Sequence, residues 1–279
     1  MAVKFLGQFL LERGLITPQQ LLAATEAQRA SNPLLGELAV SQGLLTEAQA
    51  RRINERQRAE DRRFGDIAIE LGVLDAAQVE SLLAAQKAGR KLFGQILVEQ
   101  GVLDAATLDQ ALAEHRAEQQ AGSEALASAL EGHPLGGLAQ EAAGICTRLF
   151  PRMLGAQCQP AGVAAVIEDA WPHTVHVHIE GDRPLRVGIA CDRDTMRAMA
   201  CAFLRVPAER CDDELAADAL GEIVNVLMGY VVRSALPDDA RYRALPPDHG
   251  LSAAALAARG ALPLQMNSQL GTFLLLLGA

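Results

Sequence analysis

The sequence predicts two domains, an all-helical repeat domain followed by an α/β domain of two layers with a largely antiparallel sheet. Three observations support this prediction. The chain has 279 residues, which is long for one hydrophobic core, and half of its residues are apolar. A fixed-period repeat fills the first 115 residues. The second half then mixes apolar alternation typical of strands with helical periodicity.

The repeat is marked by two series of glycines. Each copy is 29 residues after the previous one, and the second glycine of a copy follows the first by seven residues. The first series is Gly7, Gly36, Gly65 and Gly94, and the second is Gly14, Gly43, Gly72 and Gly101. We expect each copy to form a short helix, a turn at the second glycine and a longer helix. The expected N-caps of the longer helices are Thr17, Thr46, Asp75 and Asp104.

The repeat sets the expected boundaries. The helical domain covers residues 1–116, with copies at 5–28, 34–57, 63–86 and 92–115. Periodicity fades over residues 117–137, which are rich in Gln, Ala, Ser and Gly, so we interpret them as a partly helical linker. The second domain is expected over residues 138–279.

This register resembles the MshEN domain at the N-terminus of type II secretion and type IV pilus ATPases. In that family a 24-residue motif begins with Arg-Leu-Gly, ends in Gln, and binds cyclic di-GMP as a pair. The third copy keeps both ends, as Arg63 and Gln86, whereas Phe5, Leu34 and Leu92 replace the Arg elsewhere. The resemblance implies a regulatory nucleotide site in the third and fourth copies, with Arg63 and Gln86 as ligands and Phe64 packing nearby. The alternative is an interaction scaffold that has lost its ligand.

The second half predicts three helices and five strands. The helices are expected at residues 138–154, 192–204 and 211–234, and the strands at 163–167, 174–180, 185–190, 262–267 and 272–277.

The helix at 211–234 carries polar residues at i, i+4 and i+7. At about 100° per residue, Asp218, Glu222, Asn225 and Gly229 fall within roughly 60° of one another, and apolar residues fill the other side. The plain interpretation is the solvent face of an amphipathic helix. Asn and Gly are poor helix formers, however, which favours a use for this face.

The string Asp218-Ala-Leu-Gly-Glu222-Ile-Val-Asn225 resembles the motif of the CheC/CheX/FliY chemotaxis phosphatases. The resemblance implies hydrolysis of the aspartyl phosphate on a response-regulator receiver, whose own carboxylates hold Mg²⁺. It implies that Asn225 orients the attacking water and that Glu222 engages a receiver lysine. Asp218 would orient the motif or meet the receiver surface. No cofactor on this chain is implied.

The resemblance also predicts assembly. Residues 141–144 read Glu-Ala-Ala-Gly, without the Asn of a second motif, so one active helix is expected. One-site members of the family pair through their sheets. The apolar strand at 272–277 would be an unprotected edge if it lay outermost, so we expect a homodimer.

Composition and residue spacing argue against several classes of protein and of site. The net charge of −9 argues against a general nucleic-acid binder. We expect a cytoplasmic protein, without a membrane span or signal peptide. Five cysteines without a close pair suit reduced core thiols. His173, His176 and His178 lack a carboxylate or cysteine at ligand spacing, so we interpret them as the solvent side of a strand and predict no metal site.

Two classes of function remain open. One is a response-regulator phosphatase that the N-terminal domain regulates or localises. The other is a non-enzymatic adaptor that binds a receiver or a motility or secretion component.

Overall fold

The computed structural model describes residues 5–60, 62–165, 170–237 and 239–279, with only the backbone for residues 58–60. Apart from Phe5, the described chain divides into two compact units, residues 6–115 and residues 116–279.

The first unit is built from pairs of helices. Four seven-residue helices, α1 (Leu6–Glu12), α3 (Leu35–Ser41), α5 (Phe64–Glu70) and α7 (Phe93–Glu99), begin 29 residues apart. Each precedes a longer helix, namely α2 (Pro18–Ser31), α4 (Glu47–Glu60), α6 (Ala76–Gly89) or α8 (Ala105–Leu130). Helix α8 has 26 residues and includes residues 117–130, so most of the predicted linker is regular helix.

The two glycines of each copy have different physical roles. Those of the second series have φ between 64° and 71°, the left-handed conformation that ends a helix without a side-chain clash. Those of the first series lie where another side chain approaches closely: a Cβ on Gly65 would lie 2.7 Å from Cγ1 of Val79. The predicted N-caps also form, since the side chains of Thr17 and Asp75 accept from the amides of Gln20 and Gln78.

The helical unit has two separate cores. One joins the first and fourth copies through Phe9, Leu10, Ile96 and Leu97. The other joins the second and third copies, where Phe64 and Ile67 pack with Ile53 and Leu82. The third copy therefore shares its core with the second copy, whereas we had expected a site made by the third and fourth.

The second unit contains a six-stranded sheet with helices on both faces. Its helices are α9 (Gly136–Met153), α10 (Arg193–Leu204), α11 (Asp213–Ala235) and α12 (Ala253–Ala258). Its strands are β1 (Cys158–Val163), β2 (His173–Gly181), β3 (Leu185–Cys191), β4 (Tyr242–Ala244), β5 (Leu262–Ser268) and β6 (Gly271–Gly278). Neighbouring strands pair antiparallel in the order β1-β5-β6-β3-β2-β4.

Four of the five predicted strands are placed correctly to within about a residue at each end, and the strand predicted at 163–167 is not. We expected a strand at 163–167, whereas β1 ends at Val163, and residues 166 and 167 lie outside the described part of the chain. The condition stated for the strand at 272–277, that it lies outermost in the sheet, is not met. Strand β6 lies between β5 and β3, with Leu275 opposite both Leu264 and Ile189, because its two faces are both apolar and both become covered. The edge argument for a homodimer therefore falls, and the dimer stays a prediction of the resemblance.

The layers of this unit follow from its apolar faces. Helices α9, α10 and α11 cover one face, where Phe150 stacks on Phe273 with ring centroids 5.2 Å apart. On the other face, α12 brings Ala253 and Leu256 against Leu274 and Leu276. The short α12 makes this second face a core as well, so the expected two-layer sandwich has a small third layer.

The burial of His176 differs from what the sequence predicts. We expected its side of β2 to face solvent, yet the residue is only 4% exposed. The chain at Asp248 pairs with β2 through two backbone hydrogen bonds, and the Asp248 carboxylate lies 3.6 Å from Nε2 of His176. Nδ1 is buried without a partner among the described residues. Burial lowers the pKa of His176, an effect that Asp248 opposes and that Arg186 and His178 reinforce.

The lowered pKa of His176 predicts a loss of stability in acid. The unfolded chain takes up a proton at this residue near pH 6.5, whereas the folded protein does so only at lower pH, so unfolding becomes easier as the pH falls below about 6.5. We expect the unfolding midpoint to fall between pH 7.5 and 5.5 by at least about 2 °C more in the wild type than in His176→Gln. Calorimetry at both pH values measures this, with His133→Gln as the exposed-histidine control; equal losses in all three proteins would contradict it.

Candidate functional site

The polar residues of α11 form one exposed strip of the second unit. Asp218, Glu222, Asn225 and Gly229 are all exposed, and we call them the polar stripe. The opposite side of the helix is buried in the core, including Ala219, Ile223, Leu227 and Val231. The geometry of α11 therefore confirms the prediction that the four residues of the polar stripe share an outward face.

The start of α11 is fixed by polar contacts. Asp212 is the N-cap, and its side chain accepts from the amide of Leu215 at 2.9 Å. The Arg193 guanidinium of α10 contacts the Asp213 carboxylate through two nitrogens. Its Nε lies 2.8 Å and its Nη2 2.7 Å from Oδ2 of Asp213. Arg193 holds the pKa of the Asp213 carboxyl below its usual range. These contacts set the position of the helix along its axis.

The end of α11 is also tied down. Ser234 donates a hydrogen bond to Glu141 of α9. Arg233 stacks 4.6 Å above the Tyr230 ring and donates from Nε to the carbonyl of Gly229. Helix α11 is the one described helix that is long and apolar enough to cross a membrane, and its burial in the core of this unit accounts for that character.

A loop of residues 246–250 lies beside the polar stripe, and the sequence analysis missed it. A Cβ on Gly221 would lie 3.2 Å from Cβ of Pro247 and 3.7 Å from Nε2 of His249. Gly221 is one helical turn from both Asp218 and Asn225, so the exposed His249 ring approaches this side of the stripe. The available signal was the run Pro-Pro-Asp-His-Gly, which is typical of a rigid turn.

His249 also lines a cavity of about 320 Å³. Its walls come from the start of β2, from α10, from α11 and from the segment after the loop. The lining residues are Pro172, His173, Thr174, Met196, Ala217, Leu220, His249, Leu251 and Ser252.

The polar stripe offers one amide and two carboxylates to an incoming molecule. The side chains of Asp218, Glu222 and Asn225 make no hydrogen bond or ion pair with any other described residue, so their polar atoms are available to a partner. Across the described ranges, no group of three or more His, Cys, Asp or Glu residues could hold a metal ion. Burial raises the pKa of the Cys146 and Cys191 thiols to about 12, which makes both unreactive at neutral pH.

The three residues predicted for the nucleotide site have different surroundings in the first unit. Arg63 is exposed just before α5, and its side chain makes no hydrogen bond or ion pair to another described residue. Phe64 is buried, and its ring would lie 3.0 Å from a Cβ on Gly36. The Gln86 amide donates to the carbonyl of Pro33 at 2.9 Å, so part of its hydrogen-bonding capacity is used within the fold.

Residues 173–248 match the family model described as "Chemotaxis phosphatase CheX". The matched segment runs from β2 to the residue before His249 and contains the whole polar stripe. The C-terminal unit therefore carries a CheX-like domain. No curated protein matches the chain.

Similar solved structures cover about half of this chain. CheX from Desulfovibrio desulfuricans is 15% identical, with a TM-score of 0.39, over 50% of this chain and 97% of that one. The CheX–CheY–BeF3–Mg²⁺ complex from Borrelia burgdorferi is 15% identical, with a TM-score of 0.40, over 50% and 96%. FliY from Thermotoga maritima is 16% identical, with a TM-score of 0.35, over 52% and 88%.

Proposed function

We propose that the protein is a phosphatase for the aspartyl phosphate of a CheY-like response-regulator receiver. The observation that carries the proposal is the polar stripe, which is exposed and lies within the segment that matches the CheX model, and whose Asp218, Glu222 and Asn225 side chains have no partner among the described residues. The complex of the Borrelia CheX with CheY supports a receiver as the partner.

Each polar residue has a role suited to its chemistry. The amide of Asn225 can donate to one oxygen and accept from a water, so it orients that water in line with the phosphorus. Glu222, one turn away, pairs with a cation of the receiver and holds the helix against it. Asp218 lies one turn before Glu222 and meets the receiver surface. The receiver's own carboxylates hold the Mg²⁺.

The reaction needs no covalent intermediate on this chain. Water attacks the phosphorus, the bond from phosphorus to the receiver carboxylate breaks, and inorganic phosphate leaves. The buried thiols of high pKa are poor nucleophiles, which fits a mechanism based on orientation. An adaptor that binds the receiver without hydrolysing its phosphate is the competing function, and turnover separates the two.

For the first unit we propose cyclic di-GMP as a regulatory ligand. The exposed Arg63 supports this, because a guanidinium can donate two parallel hydrogen bonds to guanine or phosphate. The third copy would act with its core partner, the second copy. Phe64 and the Gln86 amide are engaged within the fold, so Arg63 contributes most of the recognition.

The Asn225 role predicts a large loss of rate. We expect Asn225→Ala to lower the turnover rate by about 10²-fold or more, the usual effect of removing one donor that stabilises a transition state. Asn225→Asp keeps the shape but replaces the amide with an anion, so it should be equally impaired. Both variants should keep the wild-type unfolding midpoint within about 2 °C, because the residue is exposed.

The measurement is the lifetime of phosphorylated receivers from the same genome. Glu209→Ala, an exposed change outside α11, is the control and should behave as the wild type. Full activity in Asn225→Ala would contradict the role assigned to Asn225. If the wild type leaves the lifetime of every phospho-receiver unchanged, the protein is not a phosphatase and the adaptor function is favoured.

Glu222 predicts an effect of a different kind. Loss of an intermolecular charge pair should weaken receiver binding as well as slow turnover, and the difference from wild type should shrink as salt is raised. Titration of Glu222→Ala at about 0.05 and 0.5 M salt tests this, with Glu222→Gln to separate charge from shape. A binding defect that is independent of salt would argue against the charge pair.

The role proposed for Arg63 predicts how the first unit binds cyclic di-GMP. Calorimetry with cyclic di-GMP should show binding in the wild type and at least about tenfold weaker binding in Arg63→Ala. Arg90→Ala, an exposed arginine at the end of α6, is the matched control. Equal affinity for cyclic di-GMP in all three proteins would contradict the assignment of Arg63 to the site. If the wild type shows no heat of binding, the first unit is better explained as an interaction scaffold without a ligand.

A further inference from the structure

We infer that His249 is a further receiver-contacting residue, which donates a hydrogen bond to an anionic group beside the reacting phosphoryl group. The inference rests on the proposed function, since it names a second element of the same contact surface. It adds a binding residue from outside α11 to a site that the sequence placed on one helix.

The position of His249 is set by a close approach to α11. Nε2 of His249 lies 3.7 Å from the point that a Cβ of Gly221 would occupy. On the helix, Gly221 is three residues after Asp218 and four before Asn225, so all three share a side of α11. A molecule that lies on the polar stripe and reaches Asn225 therefore passes beside this imidazole.

The loop holds the ring in place before any partner binds. Pro246 and Pro247 restrict the backbone on one side. On the other side, the Asp248 side chain accepts from the Gly250 amide at 2.7 Å, a tight turn. The backbone of Asp248 is paired with His176 by hydrogen bonds of 3.0 and 2.8 Å. His249 is thus fixed at both neighbours, which lowers the entropy cost of using it in a contact.

The chemistry of the ring complements that of the stripe. From Asp218 to Asn225 the helix offers two carboxylates and no cation, although the proposed substrate is an anion. His249 is exposed and makes no hydrogen bond to another described side chain, so its ring N–H can donate to a partner. It is the group of the loop that an anionic oxygen would approach most favourably, with Asp248 engaged with His176 and the Gly250 amide.

Gly221 provides a second, independent way to test the contact. A Cβ there would lie 3.2 Å from Cβ of Pro247, tighter than most packing contacts, so Gly221→Ala should displace the loop by a few tenths of an ångström and move His249 relative to the stripe. The change leaves Asp218, Glu222 and Asn225 untouched. Its effect should come through His249.

The experiment compares His249→Ala, His249→Gln, Gly221→Ala and the double variant Gly221→Ala/His249→Ala in the full-length protein. The probes are CheY-like receivers from the same genome, phosphorylated for turnover and activated with BeF3⁻ and Mg²⁺ for binding. We expect His249→Ala to raise KM and Kd about tenfold with a smaller change in kcat, because a charge-assisted hydrogen bond to the bound receiver is lost. His249→Gln, whose amide N–H can replace Nε2–H, should recover to within about threefold.

Gly221→Ala should weaken binding less than His249→Ala does, and the double variant should be no worse than His249→Ala, because both changes act on one contact. His133→Ala, an exposed histidine of the same unit, is the control. If Asn225→Ala is inactive while His249→Ala keeps KM and Kd within twofold of wild type, this inference is overturned and the proposed function stands. Equal losses in His249→Ala and His249→Gln overturn the donor role.

Binding distinguishes the remaining cases. A wild type that binds the activated receiver without turnover refutes the phosphatase, and the Kd values of the His249 variants still decide the contact. A wild type that neither binds nor dephosphorylates any receiver overturns both proposals.

Discussion

The one-sided burial of α11 is the constraint on which the second unit depends. Its apolar side supplies a large part of the core between α9, α10 and strands β2 and β3. Turning the helix by one residue, about 100°, would move Asp218 or Glu222 toward that core, and burying an unpaired carboxylate costs several kcal/mol. The core therefore fixes which way the polar stripe faces. The cap at Asp212 and the Arg193–Asp213 pair fix where it begins.

Both units also depend on glycines that allow a side chain or loop to pack closely against a helix. In the helical unit, the first glycine of each copy lies against a side chain, as Gly65 does against Val79. In the second unit, Gly221 allows Pro247 and His249 to lie on α11 beside the polar stripe. Glycine is costly inside a helix, by about 1 kcal/mol relative to Ala. At Gly221 that cost is offset by contacts that bring a loop from a distant part of the sequence to the site.

Sequence reasoning succeeded where one strong periodicity decided the outcome. The helix–turn pattern of the first half, the strand at 185–190 and the amphipathic α11 all follow from apolar spacing within a single segment. It failed where several segments compete for one place. Strand β6 lies inside the sheet because two neighbours pair with it, and His176 is buried because the chain around Asp248 pairs with β2. Neither partner is visible from the strand's own sequence. The three-residue β4 and six-residue α12 carry too little pattern to be found.

The two sets of predicted site residues differ in how far the fold itself uses them. Phe64 fills the core of the helical unit, and the Gln86 amide bonds to Pro33, so both residues have a structural reason to be present. Asp218, Glu222 and Asn225 have no such reason, since the described chain gives them neither a partner nor burial. Replacing them with Ala would raise helix propensity, most clearly at Asn225 and Asp218. Their presence on a rigid, capped helix is a local choice that folding does not require, which is what a surface made for another molecule would show.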